Sequence, residues 1–331
     1  MIISKTPYRI SFFGGGTDYP EWYIQEGGAV LSTTIDKYCY ISCRFLPPFF
    51  NIKHRIVWSH IETVSTISEI LHPAVREGLR HLGFNDAVGL EIHHQGDLPA
   101  RSGMGSSSSF AVGLFKALTA LQGQMITKHE LALKAIELEQ TVLKENVGSQ
   151  DQVAAAYGGL NVINFFKSGE IKVEPVTIPA ERVSDLQSRL LLVYTGTSRL
   201  ASDVAGDIIA NLHGKVQRLR EMRSIVDQAI SILNGSCSLD NFGRLLHESW
   251  MLKRKLSDGV TTATVDHVYQ TALEHGALGG KLLGAGGSGF MVFYVPPERQ
   301  AGVVKALSGY LHVPFQFETE GSTLMHYGSR Y

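Results

Sequence analysis

A glycine- and serine-rich segment, PARSGMGSSSS at residues 99–109, constrains the fold more than any other part of the chain. Apolar residues occupy every second position of residues 88–92 before it and recur at helical spacing from Phe110 onward. The pattern predicts a strand, a loop and a helix in that order. Gly103 and Gly105 allow backbone N–H groups to approach an anion, and the helix N-terminus adds unpaired donors. The segment therefore predicts a phosphate-binding loop.

Three well-known glycine loops do not match this segment. A Walker A loop needs a lysine directly after its last glycine, but the next lysine is Lys116, inside the predicted helix. A dinucleotide-binding loop needs a third glycine where Ser108 stands. A nucleophile elbow needs the Gly-x-Ser-x-Gly pattern, which this loop lacks. A plain connection between two elements stays open on these residues alone.

A second glycine cluster follows the predicted N-terminal strand, within KTPYRISFFGGGTDYP at residues 5–20. Three consecutive glycines, residues 14–16, indicate a backbone close to a ligand. Asp18 is suited to accept hydrogen bonds from two sugar hydroxyl groups, and equally to begin a helix at residues 21–23. Arg9 either extends to solvent from the strand or directs its charge at a transferred phosphoryl group.

The helical pattern that begins at Leu131 distinguishes two carboxylates. Glu139 falls on the apolar side, whereas Glu137 lies among polar neighbours on a solvated face. A carboxylate that points inward needs a partner, and Mg²⁺ is a suitable one. Asp151 is either the N-cap of a short alanine-rich helix or a catalytic carboxylate, and the local residues favour the cap. The apolar stripe consists of Leu131, Ala135, Leu138 and Val142.

Together these segments resemble the GHMP kinases, the family named after galactokinase, homoserine kinase, mevalonate kinase and phosphomevalonate kinase. Pro7, Arg9 and GGGTD at residues 14–18 reproduce the N-terminal motif of that family. Residues 99–107 are similar to its phosphate loop, and GKLLGAGGSGFMVF at residues 280–293 is similar to its C-terminal glycine-rich segment. The resemblance spans nearly the whole chain.

The resemblance implies transfer of the γ-phosphoryl group of ATP to a hydroxyl group, with Mg²⁺ as cofactor. Asp151 would deprotonate the hydroxyl and Arg9 would stabilise charge beside it, while Ser107 and Glu139 would hold Mg²⁺. The interval from Glu139 to Asp151 is slightly longer than in mevalonate kinase, which implies an adjusted helix end. The nucleotide phosphates would lie against Pro99, Gly103, Met104, Gly105, Ser106, Ser107 and Ser108. The acceptor would contact Gly15, Gly16, Thr17, Asp18, Arg101 and Arg199.

Within the family, residues 14–18, 148–152 and 194–199 are most similar to the sugar 1-kinases that act on D-glycero-D-manno-heptose 7-phosphate. The implied product is the 1,7-bisphosphate. L-fucokinases share part of the pattern, so L-fucose or another sugar stays open, as does a non-catalytic sensor of ATP or sugar. A phosphorylated acceptor needs cations in its pocket. The candidates are Arg101, Arg199 and the basic residues 53–55.

The composition is typical of a globular cytoplasmic enzyme. The chain has 331 residues and a formal net charge of −1, which gives no electrostatic reason to expect nucleic acid or a membrane surface as a partner. Three cysteines are too few for a disulfide framework. The first residues lack the apolar core of a signal peptide, and we therefore expect a cytoplasmic location and a small-molecule sugar phosphate as partner. Assembly into a homo-oligomer stays open.

A change of pattern near Ser168 and Gly169 predicts the division into two domains. An N-terminal domain, residues 1–169, would carry the phosphate-binding loop, and a C-terminal domain, residues 170–331, would contain an antiparallel sheet and helices. A predicted strand at residues 160–166 closes the first half and another at residues 190–194 opens the second. Because strands and helices segregate, we expect the α+β class, and the resemblance implies the two-domain GHMP kinase fold.

Overall fold

The computed structural model describes residues 1–47, 49, 53–196, 201–210 and 212–328, without the side chains of residues 201–203, 212 and 213. This part of the chain forms two sheets with helices packed against them, which confirms the predicted α+β class. No helix within the described ranges has the length and apolar character needed to cross a lipid bilayer.

The larger sheet has nine strands in the described part of the chain. They are β1 (Ile2–Phe13), β2 (Gly28–Leu46), β3 (His54–Val57), β4 (Ile61–Val64), β5 (Gly89–Gly96), β6 (Asn161–Phe165), β7 (Ile171–Pro175), β12 (Phe317–Glu318) and β13 (Thr323–Tyr327). The main path runs β13, β1, β2, β5, β3, β4, while β6 and β12 also pair with β2, and β7 pairs with β6. Every pairing is antiparallel except that of β3 with β5. The long strand β2 is therefore the centre of the sheet.

The smaller sheet is antiparallel and belongs to the second half of the chain. Its strands are β8 (Leu190–Tyr194), β9 (Gly279–Leu282), β10 (Phe290–Tyr294) and β11 (Leu311–His312), in the order β11, β8, β10, β9. The strand predicted at residues 190–194 is confirmed, and the one predicted at residues 160–166 forms β6.

Helices cover both sheets. They are α1 (Pro20–Glu26), α2 (Pro73–His81), α3 (Ser106–Leu121), α4 (Lys128–Ile136), α5 (Gln150–Tyr157), α6 (Ala180–Ser188), α7 (Ala201–Ala210), α8 (Val216–Asn234), α9 (Asp240–Lys253), α10 (Ala263–Glu274) and α11 (Pro297–Ala306). Helix α3 is buried on most of its surface, because β1 and β2 lie on one side of it and α4 and α5 on another. This packing on several sides fixes the position of the N-terminus of α3 relative to the larger sheet.

Aromatic side chains join the larger sheet to the helices of the second half. Phe12 and Phe13, at the end of β1, contact Phe242 of α9 edge-on, with ring centroids 5.4 and 4.9 Å apart. All three rings are buried. Loss of such a ring costs about 3–5 kcal/mol of unfolding free energy, so this contact fixes the end of β1 against α9.

Segments from both sides of residue 169 build the larger sheet. Strand β7 extends it beyond β6, and β12 and β13 return from the C-terminal part of the chain to pair with β2 and β1. The division into residues 1–169 and 170–331 therefore stays a prediction about folding units, which the strand pairing does not test.

Two expectations about local structure are wrong. Val88 lies just before β5 and is exposed, because the strand begins at Gly89. Val142 is exposed although it was expected on the apolar stripe. The helix widens into a π-helix at Glu137–Val142, with a hydrogen bond from the Leu143 N–H to the Leu138 carbonyl. The wider turn shifts the following residues around the helix axis, so that a 3.6-residue period no longer describes which side chains point inward.

Candidate active site

The predicted phosphate loop is present between β5 and α3. Gly103 and Gly105 have φ of 82° and 74°, and Gly105 is the N-cap residue of α3. Arg101 also has a positive φ, 59°, which is uncommon for a residue with a side chain. The first N–H groups of α3 have no partner within the helix, so they form an anion-binding end at this loop. The structure thus places a glycine loop with free N–H donors at the start of a buried helix.

The C-terminal glycine-rich segment holds this loop in place. The Phe290 N–H donates to the Ser102 carbonyl at 3.0 Å. Gly284 lies directly against Gly103, since a Cβ on Gly284 would lie 2.5 Å from the Gly103 Cα. Residues 280–293 therefore lie beside the phosphate loop, as the resemblance implied, and they do so through close backbone contact.

Arg9 and Asp151 form a bidentate ion pair next to the loop. Arg9 Nε donates to Asp151 Oδ1 at 2.7 Å and Nη2 donates to Oδ2 at 2.6 Å. The remaining Nη1 donates to the Gly103 carbonyl at 2.6 Å, and Arg9 is only 3% exposed. The expectation that Asp151 caps α5 is wrong: the N-cap residue is Ser149, and the Asp151 carboxylate is held by Arg9 in the stronger charge-assisted interaction.

Asp18 is buried beside the start of α5. It accepts hydrogen bonds from the Gly16 N–H at 2.9 Å and the Gln150 N–H at 3.4 Å. A Cβ on Gly148 would lie 1.9 Å from the Asp18 Oδ2 atom, so only glycine fits there. Burial raises the pKa of Asp18, and the nearby Asp151 raises it further, whereas the hydrogen bond from the Gly16 N–H lowers it.

Glu139 is buried, as predicted, because the π-helix turns it inward. Its Oε2 atom accepts hydrogen bonds from Ser108 Oγ at 2.7 Å and Gln152 Nε2 at 2.5 Å. Burial raises the pKa of Glu139 to about 7, although hydrogen bonds from Ser108 and Ser107 lower it. The Oε1 atom is buried without a hydrogen-bond partner in the described structure, and an unpartnered carboxylate oxygen of this kind fits a hard cation.

Protein ligands alone do not complete a metal site here. Within the described ranges, no three His, Cys, Asp or Glu side chains are arranged around a common point. Mg²⁺ commonly takes one or two protein ligands, with the remainder supplied by phosphate oxygens and water. Glu139 and Ser107, which both line the cavity, therefore fit Mg²⁺ bound together with a nucleotide.

These groups share one cavity of about 870 Å³. One end carries an aromatic and imidazole wall that the sequence analysis missed. His72 stacks on Phe110 with centroids 4.7 Å apart, and Trp58 contacts His72 edge-on at 4.8 Å. Burial lowers the pKa of His72 to about 4, so its ring is neutral at neutral pH. No single motif carries this wall, because its members come from β3, α2 and α3 or the residues next to them.

Two buried lysines that the sequence analysis also missed are part of the cavity lining. Lys253 ends α9 and Lys281 lies in β9, and both line the cavity near Asp18. Both come from the second half of the chain, far in sequence from the glycine motifs. The GKLLGAGG pattern contains Lys281, but nothing in the pattern indicates that its side chain extends to β1.

The other predicted site residues are placed as follows. Gly15, Gly16, Arg101, Gly105, Ser106, Ser107 and Ser108 line the cavity together with Arg9, Asp18, Gly103, Glu139 and Asp151. Pro99 is exposed outside the lining, and Met104 is buried in the core, where its carbonyl accepts from the Arg9 N–H at 3.2 Å. Thr17 is buried outside the cavity lining, and its hydroxyl donates to the Gly14 carbonyl at 2.8 Å. Arg199 lies outside the described residues.

The basic cluster at residues 53–55 is not at the cavity. Lys53 Nζ donates to the Asp86 carbonyl, His54 contacts the Asp86 carboxylate at 3.1 Å, and Arg55 contacts Glu91 at 3.1 Å. These side chains already have partners on β5 or on the segment before it. They are therefore removed from the candidates for a substrate-phosphate site.

Comparison with known proteins supports the same assignment. The families described as "GHMP kinases N terminal domain" and "GHMP kinases C terminal" match residues 68–159 and 235–310. The D-glycero-alpha-D-manno-heptose 7-phosphate kinase of Campylobacter jejuni is 30% identical over 97% of either chain. The L-fucokinase/L-fucose-1-P guanylyltransferase of Bacteroides fragilis is 25% identical over 92% of this chain, which spans 35% of that relative. A crystal structure described as D-glycero-D-manno-heptose 1-phosphate kinase from Bacteroides thetaiotaomicron has a TM-score of 0.80 at 25% identity, covering 99% of this chain and 100% of that one.

The phosphate loop, the Arg9–Asp151 pair and the two-sheet fold define a phosphotransferase with an alcohol group as acceptor. The chain belongs to the GHMP kinases, a family that uses ATP as phosphoryl donor. This confirms the resemblance inferred from the three glycine-containing motifs.

Proposed function

We propose that the protein transfers the γ-phosphoryl group of ATP to the anomeric hydroxyl of D-glycero-D-manno-heptose 7-phosphate, giving the 1,7-bisphosphate. The observation that carries the proposal is the position of the Arg9–Asp151 pair, which contacts the phosphate loop at Gly103 and lies beside the buried Asp18. The names of the Campylobacter and Bacteroides thetaiotaomicron relatives support a heptose phosphate as the acceptor.

Asp151 is the proposed base for the acceptor hydroxyl. Its carboxylate is oriented by two hydrogen bonds from Arg9, so it is held ready to accept the hydroxyl proton. The Arg9 guanidinium lies between that carboxylate and the loop, where it stabilises negative charge on the phosphoryl group in transfer. Asp18 accepts hydrogen bonds from sugar hydroxyls and fixes which hydroxyl faces Asp151.

The nucleotide occupies the loop end of the cavity in this proposal. Backbone N–H groups at the start of α3 bind its phosphates, and the wall of Trp58, His72 and Phe110 stacks against its base. Glu139 and Ser107 would hold Mg²⁺, which neutralises phosphate charge when bound. The acceptor occupies the end with Gly15, Gly16 and Asp18.

The test is Mg²⁺-dependent ADP release with a panel of acceptors: D-glycero-D-manno-heptose 7-phosphate, unphosphorylated heptose, L-fucose, galactose and mevalonate. We expect activity with the phosphorylated heptose, and little with the neutral sugars or mevalonate. A preference for L-fucose would instead favour the second candidate, which the 25% identity to the Bacteroides fragilis enzyme supports. ATP binding without ADP release on any acceptor would contradict catalysis and favour a sensor. The cytoplasmic location stays a prediction.

A further inference from the structure

Lys253 and Lys281 are buried lysines that form no ion pair in the described part of the chain. Their exposed fractions are 6% and 4%. Charged side chains are seldom buried to this extent unless an opposite charge or a ligand accompanies them. Because both lysines line the cavity, an anion that enters the cavity can reach them.

Backbone carbonyls hold each ammonium group in place. Lys253 Nζ donates to the carbonyls of Leu282 at 3.0 Å and Gly284 at 2.5 Å. Lys281 Nζ donates to the carbonyls of Ser11 at 2.8 Å and Phe12 at 3.0 Å. In its charged form, which an anionic ligand favours, each lysine has three N–H donors, so one donor of each remains for that ligand. The two lysines are therefore positioned in advance of binding.

The surroundings place Lys281 at the acceptor end. Lys253 donates to the Gly284 carbonyl next to Gly103, so it lies between that end and the phosphate loop. Lys281 contacts β1 where it leads into the glycines at residues 14–16, and Ser11 on that strand also lines the cavity. The Ser11 hydroxyl is buried and has no hydrogen-bond partner in the described structure. A Cβ on Gly15 would lie 3.7 Å from that hydroxyl, so Ser11 lies directly beside the acceptor glycines.

One buried carboxyl group, that of Asp18, lies near both lysines. It raises the pKa of both, but it forms no ion pair with either within the described residues. Burial lowers the pKa of Lys253 to about 7, and Arg9 lowers it further, whereas Asp18 and Asp151 raise it. Burial also lowers the pKa of Lys281 well below its usual range. Asp151 is already paired with Arg9, so it does not serve either lysine. A neutral sugar brings no countercharge, whereas a phosphate dianion does.

We propose that Lys253, Lys281 and the Ser11 hydroxyl bind the phosphate group carried by the acceptor and thereby select a phosphorylated sugar. The inference rests on the proposed function and adds the residues that distinguish a sugar phosphate from a neutral sugar. The γ-phosphoryl group of ATP offers the same chemistry, so the experiment separates the two sources.

The experiment compares the variants Lys253→Met, Lys281→Met and Ser11→Ala by calorimetric titration. Each variant is titrated separately with D-glycero-D-manno-heptose 7-phosphate, with unphosphorylated heptose and with ATP. Methionine preserves most of the buried side-chain volume, and Ser11→Ala removes only an unpartnered hydroxyl. Lys116→Met is the matched control, since Lys116 lies on α3 and does not line the cavity.

We expect each lysine variant to weaken binding of the phosphorylated heptose by about 10- to 100-fold, as for loss of a hydrogen bond between charged groups. Ser11→Ala should weaken it by about 3- to 10-fold. ATP affinity should stay within about twofold, which also shows that the variants are folded. The control should bind all three ligands as the unmodified protein does.

Unchanged affinity for the phosphorylated heptose in both lysine variants would overturn the inference. The inference would be overturned equally if only the ATP affinity fell, because the lysines would then act on the phosphates of the nucleotide. Failure of the proposed function has a different signature: lysine-dependent binding of the sugar phosphate without any transfer to it.

Discussion

The two ends of the cavity are built in different ways. The proposed nucleotide end depends on a contiguous segment, residues 99–109, which forms the loop and the first turn of α3. The proposed acceptor end is assembled from the end of β1, the start of α5, the end of α9 and strand β9. A contiguous loop is recognisable from residue types alone, whereas an assembled pocket depends on how distant elements pack. The comparison shows why a donor site is easier to infer from sequence than the acceptor it serves.

Arg9 connects the two ends. Arg9 donates to the Gly103 carbonyl in the loop and to the Asp151 carboxylate at the start of α5. One side chain therefore contacts both the proposed nucleotide end and the proposed acceptor end of the cavity. We therefore expect changes at Arg9 or Asp151 to affect transfer itself, and changes at either end to affect mainly the binding of one ligand.

The largest expected effect is that of Asp151→Asn. We expect kcat to fall by about 10²- to 10⁴-fold, because the asparagine cannot accept the hydroxyl proton. The affinities for ATP and for the acceptor should change much less. Initial-rate kinetics and calorimetry measure the two effects separately. Asp227→Asn, at an exposed ion pair with Arg223, is the control, and a similar kcat for both variants would refute the role of Asp151.

The second prediction compares two glycines with similar backbone angles. Gly103 has φ of 82° and a Cβ there would lie 2.5 Å from the Leu283 carbonyl oxygen, whereas Gly123 has φ of 75° and open space around it. We expect Gly123→Ala to lower the unfolding free energy by about 1 kcal/mol and Gly103→Ala by roughly 3 kcal/mol. Only Gly103→Ala should also weaken ATP binding. Denaturant unfolding and ATP titration measure both, and equal losses would contradict the close contact between the two glycine-rich segments.

The third prediction concerns Glu139 and pH. Burial raises its pKa from 4.5 to about 7, so between these values the unfolded chain releases a proton that the folded protein retains. The stability of the metal-free protein therefore falls as pH rises from 4.5 to 7 and then levels off. Glu139→Gln lacks this loss, and we expect it to become more stable than the unmodified protein by up to about 3 kcal/mol above pH 7. Thermal unfolding at pH 5 and pH 8 tests this, and a stability difference that does not depend on pH would contradict it.

The smallest expected effect is that of Trp58→Leu. Loss of one ring from the wall should raise the KM for ATP by about 3- to 10-fold, as for a lost aromatic contact, and leave the KM for the acceptor unchanged. Phe166→Leu, at an exposed aromatic outside the cavity lining, is the control. A larger rise in the acceptor KM than in the ATP KM would reverse the assignment of the two ends.

Much of the fold and the donor half follows from local patterns. The loop before α3, the strand at residues 190–194 and the inward direction of Glu139 were all predicted from spacing. These features depend on neighbours a few residues away. The spacing of apolar residues along the sequence indicates such neighbours directly.

The remaining features depend on tertiary contacts. Asp151 was expected to cap α5 because the sequence does not show that Arg9, 142 residues earlier, reaches it. Lys253 and Lys281 look like ordinary lysines in sequence, since only the packed fold buries them. Val142 was misplaced because a π-helix does not follow the 3.6-residue period.

The most direct test of the central claim is the identity of the phosphorylated position. The unmodified protein, ATP, Mg²⁺ and D-glycero-D-manno-heptose 7-phosphate would be followed by ³¹P NMR, with Asp151→Asn in parallel. We predict a second sugar phosphate signal coupled to the anomeric proton, formed at a strongly reduced rate by the variant. A new phosphate on another carbon, or formation at the same rate by both proteins, would contradict the account.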